Sequence, residues 1–184
     1  MKYDNNLVSV IVNCYNGEKY LKKSIQSILS QTYEKFEIIF WDNNSTDNSK
    51  KVIQEFKDPR IKYYKSEKYL KLYNARNLAI QKANGKFITF LDTDDWWDEN
   101  KLQKQVSLFS NNKDIGFIYT NFFIYNEFKN KKKKFFNGLL PSGSITQDLL
   151  DNYRIGILTV MVKKDIFKKE KFNEKFEIIG DFDF

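Results

Sequence analysis

Residues 7–12, LVSVIV, form an apolar, β-branched run that passes directly into the polar stretch NCYNGE. This is the pattern of a buried strand that ends in a loop. Between Tyr20 and Ser30 the apolar residues Leu21, Ile25, Ile28 and Leu29 recur at helical spacing, which predicts an amphipathic helix with one buried face. A second apolar strand, FEIIFW at 36–41, runs into DNNSTDNS. There Ser45 or Thr46 is placed to cap a helix over 49–56, because a hydroxyl ahead of an apolar-periodic run satisfies free backbone donors. The pattern repeats with IKYYK at 61–65 as a strand, a helix over 73–83, and KFITFL at 86–91 as another buried strand.

Strand and helix thus alternate through the first half of the chain, which predicts an α/β fold with a mainly parallel sheet flanked by helices. In open sheets of this kind ligands bind beyond the carboxyl ends of the strands. Three polar clusters fall at such ends: NCYNGE, DNNSTD and DTDDWW. Beyond residue 100 the pattern predicts a helix over 100–109, then a strand-like segment GFIYTNFFIY, a lysine run and FFNGLLPSG. No internal repeat and no Pro/Gly/Ser-rich linker divides the chain, and a length of 184 residues suits one domain, 1–184.

Composition narrows the function classes. Hydrophobic residues make up 41% and aromatics 17%, enough for a packed core. No apolar run approaches the roughly 20 residues needed to span a bilayer. The opening MKYDNNL lacks the apolar stretch of a secretory signal, so a cytoplasmic location is expected. Cys14 is the single cysteine, and with no histidine any metal must be held mainly by oxygen, which favours magnesium, manganese or calcium over zinc. The net charge of +7 implies an acidic partner without naming it. Its sharpest feature, KNKKKK at 129–134, reads as a solvated hairpin tip or as peripheral contact with a membrane surface. Nucleic acid is not expected as a partner, because the lysine run lacks interleaved aromatics and no known binding motif is present.

The most informative cluster is LDTDDWW at 91–97, where Asp92, Asp94 and Asp95 crowd three carboxylates directly after a buried strand. A divalent cation would relieve that repulsion, since magnesium or manganese uses one or two carboxylates with substrate phosphates and water. Capping aspartates at a strand-to-helix turn are the alternative. Asp42 could accept hydrogen bonds from the edge of a base, or simply shape an Asx-rich turn. Tyr15 could stack on a base, or pack against the sheet.

In this order along the chain, VSVIVNCYNGEKYLKKSIQSILSQTY, DNNSTDNS, NARN at 74–77 and GKFITFLDTDD at 85–95 resemble the signatures of the family 2 glycosyltransferases of the GT-A fold. The later segment ILTVMVKKDIFKKEKFNEKFEIIGDFDF resembles the part of that family in which a short acidic motif follows a glycine. The resemblance implies a sugar transfer, with inversion, from a nucleoside diphosphate donor, most often a UDP-sugar, to an acceptor hydroxyl. A glycan or lipid-linked acceptor in bacterial surface-glycan synthesis would fit. It makes Tyr15 the residue that stacks on the base, with Asn13 in the same pocket and Asp42 and Asn43 at the base edge. The family more often carries two acids at that last pair, so Asn43 is a departure. Arg76 would lie near the diphosphate and Asp94 would face the sugar or ribose. Asp95, with Asp94, would hold Mn2+ or Mg2+. Asp181 would be the general base, with Asp183 the alternative. The resemblance also makes 1–100 the nucleotide-binding half and 101–184 the start of an acceptor-binding half that usually continues past Phe184. A binding module without turnover, or half of a larger transferase, is the alternative reading.

Overall fold

In a computed structural model the described residues are 6–112, 114–177 and 180–183. Strands β1 (Val8–Cys14), β2 (Phe36–Asp42), β3 (Ile61–Lys65) and β4 (Phe87–Phe90) lie side by side and parallel in the order β3-β2-β1-β4. Helices α1 (Glu18–Leu29), α2 (Ser49–Glu55) and α3 (Leu72–Gln81) make the crossovers, and α4 (Lys101–Asn111) follows β4. The expected α/β architecture with a mainly parallel sheet is therefore present. In register, Asn13 lies opposite Trp41 and Cys14 opposite Asp42, so the polar clusters after β1 and β2 emerge at the same level.

β1 is buried on both faces because the sheet is covered on both. Val8, Val10 and Val12 join Leu21, Ile25 and Ile28 of α1, Ile53 of α2, and Leu102, Val106 and Phe109 of α4. On the opposite face Ile11, Ile39, Trp41, Ile88 and Phe90 pack with Ala75, Ala79 and Ile80 of α3, and with Phe167 and Phe172. The three α1 residues are fully buried on the face that the sequence periodicity marks; each contributes about 1.5–3 kcal/mol of transfer free energy. Close approach sets the entry to β4. A Cβ on Gly85 would lie 2.6 Å from the Ser9 amide nitrogen, so only glycine fits. Beside it the buried Glu37 accepts from Ser9, Asn84 and Lys62. Burial raises its pKa, but those hydrogen bonds outweigh it and hold the carboxyl below its usual range.

The second half departs from expectation. The segment 116–125 is not one strand: β5 (Phe117–Ile118) and β6 (Phe123–Asn126) belong to different sheets. β6 pairs with β7 (Lys131–Lys134) in a separate hairpin. The lysine run is thus mostly the second strand of that hairpin, whose turn is 127–130. After α5 (Thr146–Asp151), strand β8 (Met161–Lys163) inserts antiparallel between β4 and β5 and completes a six-stranded sheet. The short helix α6 (Gly180–Asp183) follows. Among the described residues no helix is long and apolar enough to cross a membrane.

Candidate active site

The loops after β1 and β2 interlock through side chain to backbone hydrogen bonds. Asn16 Oδ1 accepts from the Thr46 amide (2.8 Å), while Ser45 Oγ accepts from the Asn16 amide (3.1 Å). The Gly17 amide donates to Ser49 Oγ (2.9 Å), the Glu18 amide to Asp47 Oδ2 (3.0 Å), and the Asn48 amide to Glu18 Oε2 (2.6 Å). Ser45 and Thr46 therefore do not cap α2 as the sequence suggests. They tie the two loops together, while Asp47 Oδ1 accepts from the Ser49 amide at the start of the helix. Asn16 and Asn44 take positive φ of 53° and 64°, a backbone region that asparagine tolerates better than most residues.

Asp42 is buried at the end of β2, where Tyr63 donates to its Oδ2 (2.7 Å) and the Ser45 amide to its Oδ1 (2.7 Å). Asn43 bridges to the backbone of Leu70 in both directions, donating at 2.7 Å and accepting at 3.1 Å. This clamp brings Tyr69 beside Tyr15, with ring centroids 4.6 Å apart and both side chains exposed. Tyr69 is a candidate site residue that the sequence does not reveal, since the Asn43 clamp on its neighbour helps to place it there.

The acid loop after β4 is fastened to α1. Ser24 Oγ donates to the Asp92 carbonyl (3.3 Å), and Ser27 Oγ accepts from the Trp97 amide (3.1 Å). Gln31 donates to the Asp98 carbonyl (2.7 Å). Within the loop Asp94 is exposed and Asp95 half-buried. Burial first, then the charges of Asp92 and Asp94, push the Asp95 carboxyl up to about 6. A bound cation would relieve both causes. Among the described residues no three acids converge into a cage, but magnesium and manganese ask only for one or two carboxylates beside phosphates and water. The donor set therefore fits such an ion.

Arg76 lies under this loop on α3, only 2% exposed, with its guanidinium 5.4–5.5 Å from the rings of Tyr73, Phe90 and Phe172. Its Nη2 reaches Asp92 at 3.5 Å. Arg76 Nε, Asn13 Nδ2 and Trp41 Nε1 are buried without a hydrogen-bond partner among the described residues. All three are N–H donors on the α3 side of the sheet, near the carboxyl ends of its strands. Unmatched buried donors are costly, and a site that collects them suits a ligand rich in acceptor oxygens. Gly180 anchors α6 on the same side, its amide donating to Tyr73 Oη (2.7 Å). Asp183 is exposed, and the side chain of Asp181 lies outside the described residues. The structure thus brings Asn13, Tyr15, Asp42, Asn43, Arg76, Asp94 and Asp95 to one end of the sheet.

A concavity of about 560 Å³ lies at the opposite end of the sheet, lined by Asn6, Tyr33, Lys35 and Gln103, and gathers none of these groups. An apolar cavity of about 320 Å³ lies beside β4 and β8, lined by Phe90, Leu149, Val162 and Phe172 among others.

Comparison with known proteins places the chain in a family. An Escherichia coli UDP-Glc:alpha-D-GlcNAc-diphosphoundecaprenol beta-1,3-glucosyltransferase is 38% identical over 92% of this chain and 65% of its own length. A putative teichuronic acid biosynthesis glycosyltransferase of Bacillus subtilis is 33% identical over 86% of the chain and 63% of its own length. The chain thus spans a little under two thirds of these relatives. Among solved structures, S. aureus TarS in complex with UDP superposes with a TM-score of 0.68 at 22% identity, over 95% of this chain and 52% of that one. That likeness carries the GT-A fold. The profile of Glycosyl transferase family 2 matches residues 9–175, and the chain belongs to that family.

Proposed function

We propose that this chain carries the donor site of an inverting glycosyltransferase that takes a sugar from a nucleoside diphosphate, most simply a UDP-sugar. The acceptor would be a hydroxyl of a glycan or lipid-linked glycan, reached at a membrane face. The observation that carries the reading is the convergence at one end of the sheet of an aromatic pair, three unmatched N–H donors and a strained acid pair. These donors suit phosphate and carbonyl oxygens, and the named activities of the relatives, including a lipid diphosphate acceptor and a UDP-bound neighbour, support the same chemistry.

In this reading Tyr15, backed by Tyr69, stacks on the base, and Asn13 donates within the same pocket. Asp42 and Asn43 shape the base edge, already held in place by Tyr63 and Leu70. Arg76 faces the diphosphate, where a fixed guanidinium suits phosphate oxygens. Asp94 orients the sugar or ribose, and Asp95, with Asp94, would hold Mn2+ or Mg2+. That ion, when bound, neutralises charge on the diphosphate. Asp181 takes the proton of the acceptor hydroxyl as its oxygen bonds to the anomeric carbon. The bond from that carbon to the diphosphate oxygen breaks on the opposite face, the electron pair leaves with the nucleoside diphosphate, and configuration inverts.

Calorimetric titration with UDP, with and without manganese, on the chain and on Asp95→Ala tests this. Binding that needs both the metal and Asp95 is expected. No binding of UDP, GDP or dTDP under any metal condition would overturn the donor-site reading.

A further inference from the structure

The hairpin of β6 and β7 pairs only with itself among the described residues. Its register sets Phe123 opposite Lys134, Ile124 opposite Lys133, Tyr125 opposite Lys132 and Asn126 opposite Lys131. Opposed residues share a face, and faces alternate along a strand. The face with Tyr125 leans on the body of the protein: its ring meets Trp96 edge-on at 5.4 Å and lies 5.4 Å from the Lys23 amine. The turn is fixed by Tyr20, which donates to Glu127 (2.9 Å). The other face, with Ile124, Lys131 and Lys133, points away from that contact.

Three observations on this element agree. All four residues of β7 are exposed lysines, and Lys129 adds a fifth in the turn. None of the five has an ion-pair partner among the described residues. Beside them Phe128 at the turn is 100% exposed, and Phe123 and Ile124 are 62% and 52% exposed. One exposed apolar residue means little. Ile124 on the outward face and Phe128 at the turn, set among the unpaired amines of Lys129, Lys131 and Lys133, match the two-part chemistry of an anionic bilayer surface: phosphate outside, acyl chain beneath.

We propose that this hairpin docks the protein on an anionic membrane, with Phe128 and Ile124 entering the headgroup region and the lysines meeting lipid phosphates. Single-stranded nucleic acid is the weaker fit, because its binding sites stack successive bases on aromatic platforms, whereas the outward face carries the aliphatic Ile124 and Phe128 is a single ring at the turn. Docking has a consequence for the site. Trp96, on which the hairpin leans, follows Asp94 and Asp95 directly, so the anchored hairpin holds the acid loop beside the lipid surface.

Sedimentation with vesicles of phosphatidylcholine alone and of phosphatidylcholine with phosphatidylglycerol tests the proposal. The chain should partition onto the anionic vesicles only, and release at high salt. Each lysine near the surface is worth about fivefold in partition, so K131E/K133E should lose at least ~25-fold. Phe128→Ser should lose roughly tenfold, as burial of a phenyl ring implies. All these positions are exposed, so thermal melting of the variants should match the parent. UDP titration of the same samples separates the two readings, because hairpin variants should bind UDP unchanged. Equal partition onto neutral vesicles, no partition at all, or indifference to the hairpin variants would overturn the proposal. So would an RNA oligonucleotide that displaces the vesicles and is held equally well by Phe128→Ser.

Discussion

Single residues decide two different things in this protein, and sequence shows one better than the other. Tyr15, Asp42 and the 92–95 acids are legible because each sits one step past an apolar run, where an open sheet presents its ligands. Tyr69, Ser24 and Ser27 are not, because their placement depends on contacts across tens of residues: the Asn43 clamp for Tyr69, the acid loop for the two serines. Lys101 is hidden in a different way, since its type suggests a surface position. It opens α4, only 9% exposed, with its amine donating to Gln105 (2.8 Å) and Thr89 (3.2 Å) and lying 4.1 Å from the Trp97 ring centroid. Burial pushes that amine down to about 7 from 10.5. The unfolded chain keeps its proton up to about 10.5, so between those values the unfolded state binds more protons and stability rises with pH. A shift of that size is worth roughly 3–5 kcal/mol across the window. Lys101→Met removes the titrating group at similar volume. Urea denaturation at pH 7 and pH 10 should then show a smaller rise for the variant than for the parent. Equal rises would mean that the amine reaches water in the folded state.

At the scale of elements, the first half is legible and the second is not, for a physical reason. β1, β2 and β4 are largely apolar runs buried on both faces, and α1 carries several turns of its helical period with one face buried. β5 and β8 have two and three residues, too few to show a period, and they exist because each pairs with a strand far away in sequence. The split between β5 and β6 is a change of sheet that no local pattern announces. α6 is held by a comparable long-range fit. A Cβ on Gly180 would lie 2.5–2.7 Å from the Tyr73 ring, which is rigid and buried. Gly180→Ala should therefore cost roughly 1–3 kcal/mol, as overpacking does. In a Tyr73→Leu background that cost should largely vanish, since neighbours that clash are not additive. Urea melts of the two single variants and the double variant read the coupling directly. Additive costs would show that α6 is not seated on Tyr73, and would remove the support this contact gives to the placement of Asp181.

For the whole molecule, the arrangement divides a rigid floor from an adjustable rim. β1 lies between β2 and β4 with apolar clusters on both faces, so its amides open only when the sheet does. The rim is different: the segments 15–17, 43–48 and 92–96 are held mainly by side chains gripping backbone amides and carbonyls. Such bonds open without unfolding the sheet, and a ligand that uses them adds protection locally. Hydrogen exchange should accordingly be slowest in β1, β2 and β4 and fast in the exposed β6–β7 hairpin and α5. With UDP and manganese present, the three rim segments and the start of α3 should slow together while the floor stays as it was. Concerted slowing is the telling part, because the interlocked loops 16–18 and 45–49 cannot tighten separately. If protection rose instead along β8 and α5, around the apolar cavity, the nucleotide would be binding at the wrong edge of the sheet, and the assignment of the rim as the donor site would fail with it.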